Sequence, residues 1–485
     1  MKRLRWLALL AVFGLVAVAC SAAEEAADTA ADTAEEGAEA VEDAVDGDDE
    51  EAMEDEEEAM EDEEGDGEAA GGEAAEVATD FGVTDEAIRI GLSADLSGPF
   101  SNLTSVIVDG QGAYFDRINE NGGIGGRQLE LVTLDNAYDV PTQLDNYAEL
   151  ADESADGVAL ISQSTGSPHT SAIAQDLVDD NLLAIPLSWY SGWVDQEFGA
   201  NVFEFNTNYC FEGMNGVEFL AAQSGVDAPT VAIVSRPGEY GQDGAAGGKI
   251  AAEALGLEIV YDGEGAIAGD DFTPIVSELV SSDPDIVWIT SSPGELAQIF
   301  GGAAAQGLDA IWSGSSPSYN VALLDTDVGA ALDQFYFHST YTALWGANDS
   351  PGMQDMIAEI TERLPSSTYA QADAYVNGWT QGMFIEAVLE QALANGDMTR
   401  AGMVAAANQV DVDFQGLAPD QTWVGDPNEF AVRASFLYDV VLADATPATP
   451  ITEEGSSGLA LVEESFVGSV AAGYQFDQPC FVSEG

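Results

Sequence analysis

The chain has 485 residues, 46% of them hydrophobic, and a formal net charge of −77. With 88 Asp and Glu against 11 Lys and Arg, charge repulsion excludes nucleic acid and anionic membrane surfaces as partners. Lys is nearly absent, as on a salt-adapted surface whose self-repulsion salt would screen.

Met1–Cys20 reads as a targeting segment. Lys2, Arg3 and Arg5 precede the apolar run Trp6–Val18, and small residues lead to Cys20. The order resembles a bacterial lipoprotein signal, in which cleavage leaves a lipid-bearing cysteine at the new N-terminus. That reading places the protein outside the cytoplasmic membrane, lipid-anchored at Cys20. An ordinary signal peptide and an uncleaved anchor are the alternatives. Ser21–Asp80 holds 28 acids and no Lys, Arg or aromatic residue. It contains the near-repeat Ala52–Glu57 and Ala59–Glu64. Such a stretch buries too little apolar surface to offset its chain entropy, and its charges extend it. A disordered acidic tether over 21–82 is expected. Its spacing matches no EF-hand calcium loop.

Roughly 400 residues remain, more than one core usually holds, so two lobes are expected. No second apolar run reaches transmembrane length. Ile88, Ile90 and Leu92 alternate with small or polar residues, which predicts a strand. Gly98-Pro99 forces a turn, and Val106–Ile118 has helical spacing. Strands are predicted at Gln128–Leu134, Gly157–Ser162 and Leu182–Pro186, with helices at Pro141–Asp152 and His169–Asp179. Gln163–Ser167 is read as a loop, and Val202–Asn206 as a strand leaving the lobe. The pattern restarts with strands at Thr230–Ser235, Leu257–Tyr261, Ile286–Thr290 and Ala310–Trp312. Helices Glu212–Gln223, Ala245–Ala254, Phe272–Ser281 and Glu295–Gln306 alternate with them. A strand at Phe335–Ser339, helices at Gln371–Leu393 and Thr399–Val410, and a β-like tail from Ala434 complete the order. Alternation of this kind predicts an α/β fold with parallel sheets and right-handed crossovers.

Four runs carry a family resemblance: Leu96-Ser97-Gly98-Pro99, Asn119–Arg127, Tyr240-Gly241 and Ala374-Tyr375. With their order and spacing, Ile88 to Val441 is similar to the type I periplasmic solute-binding proteins, the branched-chain amino-acid and amide-binding class of ABC importers. The resemblance implies a two-lobed fold joined by three crossings, with ligand in the interlobe cleft and an ABC permease as partner. It places one lobe over 83–206 plus 335–427 and the other over 207–334 plus 428–485.

The strand-end loops supply candidate ligand-binding residues. In the first lobe these are Phe100, Gln163, Ser164, Thr165, Ser188, Trp189 and Tyr341, with Trp345 a further aromatic. In the second they are Tyr240, Ser292 and Ser316. Each is also an ordinary loop or helix-capping residue by type. In amino-acid binders of the family a serine-rich loop holds the carboxylate and a second-lobe acid holds the ammonium. Ser313–Pro317 has no such acid; Glu239 and Glu295 are the substitutes. A small polar solute is expected, whether amino acid, amide or urea-like.

His169 and His338 are far apart in sequence and read as structural, so no metal is expected. No cofactor motif and no Gly-x-Ser-x-Gly elbow occurs, and a non-enzymatic monomer is expected. Gly122–Gly126 reads as a tight turn rather than a phosphate cradle. With Cys20 lipidated, Cys210 and Cys480 are left to pair in an oxidising setting, and the third crossing brings both into one lobe. A sensor module of the same fold, serving a receptor partner, is the alternative function.

Overall fold

The computed structural model describes residues 77–365, 374–446 and 455–482. The signal segment Met1–Cys20, with its candidate lipid site Cys20, and the tether up to residue 76 lie outside the described residues.

The fold begins earlier than the tether boundary at 82. Ala78–Thr79 pairs in parallel with Asp397–Met398. Asp80 Oδ1 accepts the Arg400 backbone N–H at 3.0 Å, and the Arg400 guanidinium lies 5.0 Å from the Phe81 ring centroid. These contacts come from residues over 300 positions away, which composition does not reveal.

A four-stranded parallel sheet runs in the order Gln128–Asp135, Ala87–Ala94, Leu160–Thr165, Ala184–Leu187. A seven-stranded sheet runs Leu459–Phe466, Ser435–Val440, Tyr336–Thr340, Ile311–Gly314, Ile286–Thr290, Val231–Ser235, Ile259–Gly263. Its last five strands are parallel, and the first two pair antiparallel at the edge. In both sheets the earliest strand lies between the second and third. That reversal of strand order opens a crevice at the carboxyl ends.

Each sheet buries apolar residues on both faces. Ile88 and Ile90 of the smaller sheet pack with the helices Ser101–Glu120 and Ala374–Asn395, while Ile161 packs with Val140–Leu150 and Ser167–Asp179. The first helix pair approaches closely because Gly378 has no Cβ: one there would lie 2.1 Å from Ile107 O. In the turn before the second strand, Gly122, Gly123, Gly125 and Gly126 all have positive φ, from 57° to 103°. Gly is favoured there for backbone reasons.

Four local readings differ from the structure. The third strand is Leu160–Thr165, so Gln163–Thr165 lie in the sheet; the register pairs Gln163 with Leu92 and Ser164 with Ser93. Val202–Asn206 forms no strand and makes one bridge, from Val202 to Ala184. The helix expected from Ala245 starts at Gly238, directly after Pro237, so Tyr240 is helical. Tyr336–Thr340 belongs to the seven-stranded sheet, where Ile311–Gly314 and Ser435–Val440 flank it. The return to the smaller sheet's side therefore begins after Thr340, not at Phe335. Among the described residues the chain passes between the sheets three times: after Leu187, after Thr340 and before Ser435.

Cys210 and Cys480 are joined, with Cα atoms 6.2 Å apart. The same seam carries hydrogen bonds from Cys480 N to Ser191 Oγ (2.8 Å) and from Tyr190 OH to Phe481 O (2.6 Å). Among the described residues, no helix is long and apolar enough to cross a membrane.

Candidate functional site

The loop after Ala87–Ala94 is shaped by two carboxylates. Asp95 accepts the N–H groups of Gly98 (2.5 Å) and Phe100 (2.9 Å), and Asp135 Oδ1 accepts that of Leu96 (3.0 Å). Burial raises the Asp95 carboxyl above its usual range, and those N–H groups partly offset the rise. The pinned loop delivers Phe100 to the crevice.

The loop after Gln128–Asp135 delivers Tyr138. Ala137 and Tyr138 both adopt left-handed backbone, at φ 50° and 55°. Tyr138 N donates to Asn136 Oδ1 at 2.9 Å, and Asn136 Nδ2 in turn bonds Gln143 Oε1 and Thr165 O, both at 3.0 Å. Strain held by a buried network is typical of a site that must present one side chain. The Tyr138 ring lies 4.8 Å from Phe100 and 4.4 Å from His169. Burial lowers the His169 pKa below the usual imidazole range.

Facing these, Tyr240 on its helix bonds Ser291 O through its hydroxyl, at 2.7 Å, with Ser315 Oγ also at 2.7 Å. Its ring lies 5.9 Å from Phe100 and 4.8 Å from Tyr209. The loop carrying Pro317 is held by Glu212. This buried carboxyl accepts the Ser316 N–H at 2.7 Å, and burial pushes its pKa well up. Trp189 Nε1 donates to Phe205 O at 3.0 Å, which fixes the indole beside Tyr341 at 4.2 Å.

A small pocket lies among these groups, with about 340 Å³ of empty space when its open mouth is counted. Phe100, Tyr138 and Trp189 line it from one sheet, and Tyr209, Tyr240 and Pro317 from the other. Leu103, Leu187, Thr104, Thr165, Gly166 and Ser167 complete the wall, and none of the lining residues is charged. Arg236 lies over the junction, 5.6 Å from the ring centroids of both Phe100 and Tyr138, and pairs with Glu295 at 2.7 Å.

Of the candidates read from sequence, Phe100, Thr165, Trp189 and Tyr240 line this pocket. The others do not line it; most of their polar groups are engaged elsewhere, while Gln163 Oε1 and Trp345 Nε1 are unpartnered. Gln163 Nε2 bonds Thr165 Oγ1 at 3.0 Å, and Ser164 Oγ bonds Thr170 Oγ1 at 2.8 Å. Ser188 Oγ meets Ser167 Oγ at 2.6 Å, and Ser316 Oγ meets Thr340 Oγ1 at 3.1 Å. Ser292 caps the helix Pro293–Ala305 in a box with Glu295. Tyr341 packs behind Trp189, and Trp345 is buried against Tyr375. Glu295 is committed to Arg236 and the cap. Sequence reading missed Tyr138, Tyr209, Leu187 and Pro317. The rule that ligands sit beyond strand carboxyl ends would have found Tyr138 and Leu187.

The family described as periplasmic binding protein matches residues 87–446. The fold is similar to the solved structure of a fatty acid ABC transporter substrate-binding protein from Thermomonospora curvata. The TM-score is 0.73 at 27% identity, over 82% of this chain and 97% of that one. A branched-chain amino acid ABC transporter protein from Thermus thermophilus with bound valine shares the fold, with TM-score 0.65 at 18% identity, over 80% and 98% of the two chains. A leucine-, isoleucine-, valine-, threonine- and alanine-binding protein of Pseudomonas aeruginosa is 25% identical over 235 residues. That match spans 48% of this chain and 61% of that relative, under two thirds of its length.

Proposed function

Because the chain belongs to the periplasmic binding protein family, we propose that it captures a small solute between its two sheets and delivers it to an ABC permease, without chemistry of its own. One observation carries this reading. Phe100 follows the first strand of one sheet, Tyr240 follows the first strand of the other, and their rings meet at 5.9 Å around a pocket. A cleft that closes by hinge motion at the three crossings fits that contact. The moving bodies are 77–206 with 341–365 and 374–427, and 207–340 with 428–446 and 455–482. The protein acts as a monomer and is lipid-anchored outside the membrane at Cys20.

We read the solute as one with an apolar body and a carboxylate, in place of the amide or urea-like solute the sequence also allowed. The walls are aromatic and aliphatic. Thr165, Gly166 and Ser167 border the pocket where the 13-residue helix Ser167–Asp179 begins. A helix N-terminus favours an anion, and no acid lines the pocket to hold an ammonium. The ligands in the relatives' printed names, fatty acids, valine and the amino acids leucine, isoleucine, threonine and alanine, all carry a carboxylate, most of them on an apolar body.

Tryptophan fluorescence with octanoate, benzoate, leucine, acetamide and urea tests the assignment. Saturable binding is expected for carboxylates, with compaction in small-angle scattering. Phe100→Ala should weaken that binding about tenfold or more, which is about 1.4 kcal/mol. Binding of acetamide or urea with no response to any carboxylate would overturn the solute class.

Anchoring has its own test. Cys20→Ala is expected to release the protein from membranes or leave it unprocessed. Membrane retention with unchanged acyl labelling in that variant rules out lipid at Cys20.

A further inference from the structure

A second pocket lies away from the cleft, between the first crossing segment (193–208) and the third (421–432), and shares no lining residue with the first. It encloses about 900 Å³, including its open mouth. Trp193, Phe203, Trp423 and Phe430 supply aromatic wall. Two of these rings are fixed: Trp423 Nε1 donates to Glu204 O at 2.7 Å, and Trp193 Nε1 to Ser188 Oγ at 3.1 Å.

Four buried polar atoms of its lining are unspent. Asn206 is 4% exposed, and neither Oδ1 nor Nδ2 has a partner. Gln421 is 5% exposed; its Nε2 bonds Thr422 O and Phe430 O, while its Oε1 is unpartnered. Glu204 Oε1 is unpartnered as well. Each such buried group costs about 1–3 kcal/mol. Asn206 also holds a left-handed backbone, φ 76°, a region that asparagine tolerates better than most non-glycine residues. Three of the four unspent atoms are oxygen acceptors, so the complementary ligand is rich in N–H or carries positive charge.

Charge points the same way. No Lys or Arg lines the pocket. A contiguous depression at its mouth, sharing Val194, Gln196 and Pro427, is lined by Asp195, Asp426 and Asp477. Burial, and secondly the charge of Asp243, raise the Glu204 carboxyl well above its usual range. A neighbouring cation would reverse that cost. Aromatic faces favour an organic cation over a bare metal ion, which would seek a full oxygen shell.

We infer that this hinge pocket is a second binding site, for a small organic ammonium cation held by Glu204, Asn206 and Gln421 between aromatic rings. The site is independent of the cleft and of what the cleft binds.

The test uses the full purified chain at fixed ionic strength, with tetramethylammonium and choline as probes, read by calorimetry and tryptophan emission. The neutral isostere 3,3-dimethylbutan-1-ol and calcium chloride are the controls. Saturable cation binding is expected, reduced about tenfold or more by Glu204→Gln, with carboxylate binding in the cleft unchanged. Should Glu204→Gln unfold, Asn206→Ala gives the same readout. Equal binding of the neutral isostere, a response to calcium alone, or no saturable binding of either cation would overturn the assignment. So would loss of cation binding in Phe100→Ala, because it would put the cation in the cleft.

Discussion

Replacing Cys480 by serine is expected to lower the unfolding free energy by about 3–5 kcal/mol. The bond closes a sequence separation of 270 residues. In the chain-entropy model a loop of that length is worth roughly 5 kcal/mol, and measured losses run somewhat lower. What the bond secures is a tail with little core of its own. The strand Leu459–Phe466 has no buried residue, and in the helix Ser469–Gly473 only Ala471 is buried. Other ties remain when the bond is cut: Arg433 donates to Ala471 O and Tyr474 O, each at 2.8 Å, and Asn428 Nδ2 to Phe476 O at 3.0 Å. The tail should therefore loosen rather than leave. Denaturant melts of the variant and of reduced wild type give the loss. Non-reducing peptide maps should return Cys210 linked to Cys480. Free thiols at both positions, or a loss under about 0.5 kcal/mol, would sink this account.

Stability is expected to fall as pH rises from about 4 to 7, by up to roughly 4 kcal/mol from Asp243 alone. Asp243 is buried where that tail meets the first crossing. It accepts Ser191 N (3.0 Å), Ser191 Oγ (2.5 Å) and Phe481 N (3.3 Å). These bonds favour the charged form, but burial outweighs them and raises the carboxyl from 3.8 to about 7. The folded chain thus keeps a proton that the unfolded chain has lost, so acid favours folding throughout that window. Below about pH 4 both states are protonated and the effect is complete; above about 7 it is gone. Glu204 and Glu212 act with the same sign. Chemical denaturation at fixed high salt, across pH 4 to 8, measures the slope. Asp243→Asn should remove about one proton's share of it. An unchanged slope in that variant would exclude Asp243 as the titrating group.

The strand–loop–helix order was legible because it is local. Ile88, Ile90 and Leu92 alternate as a strand, Asn119–Arg127 encodes a turn through its glycines, and both are where the sequence put them. Phe100, Thr165, Trp189 and Tyr240 could be picked out because strand ends in such a sheet meet at one crevice. Picking out Ser164 and Ser188 rested on the same rule, yet their hydroxyls are satisfied within the protein, and Gln163 spends its Nε2 on Thr165 while its Oε1 stays unpartnered. Residue type offers a hydroxyl or an amide, and only the neighbours decide whether it is spent.

By itself, then, the sequence determined the alternating α/β order, the acidic surface and the polarity of the chain's start, all set by periodicity and composition over short windows. The tertiary structure decided the rest. It made the cleft aromatic through Tyr138 and Tyr209, and it turned Glu295 from a candidate ligand into the partner of Arg236. It also left the Asn206 amide and the Gln421 Oε1 unspent beside one pocket, though 215 positions separate the two residues in the chain. Burial and hydrogen-bond satisfaction depend on contacts between distant segments, and no local pattern carries that information.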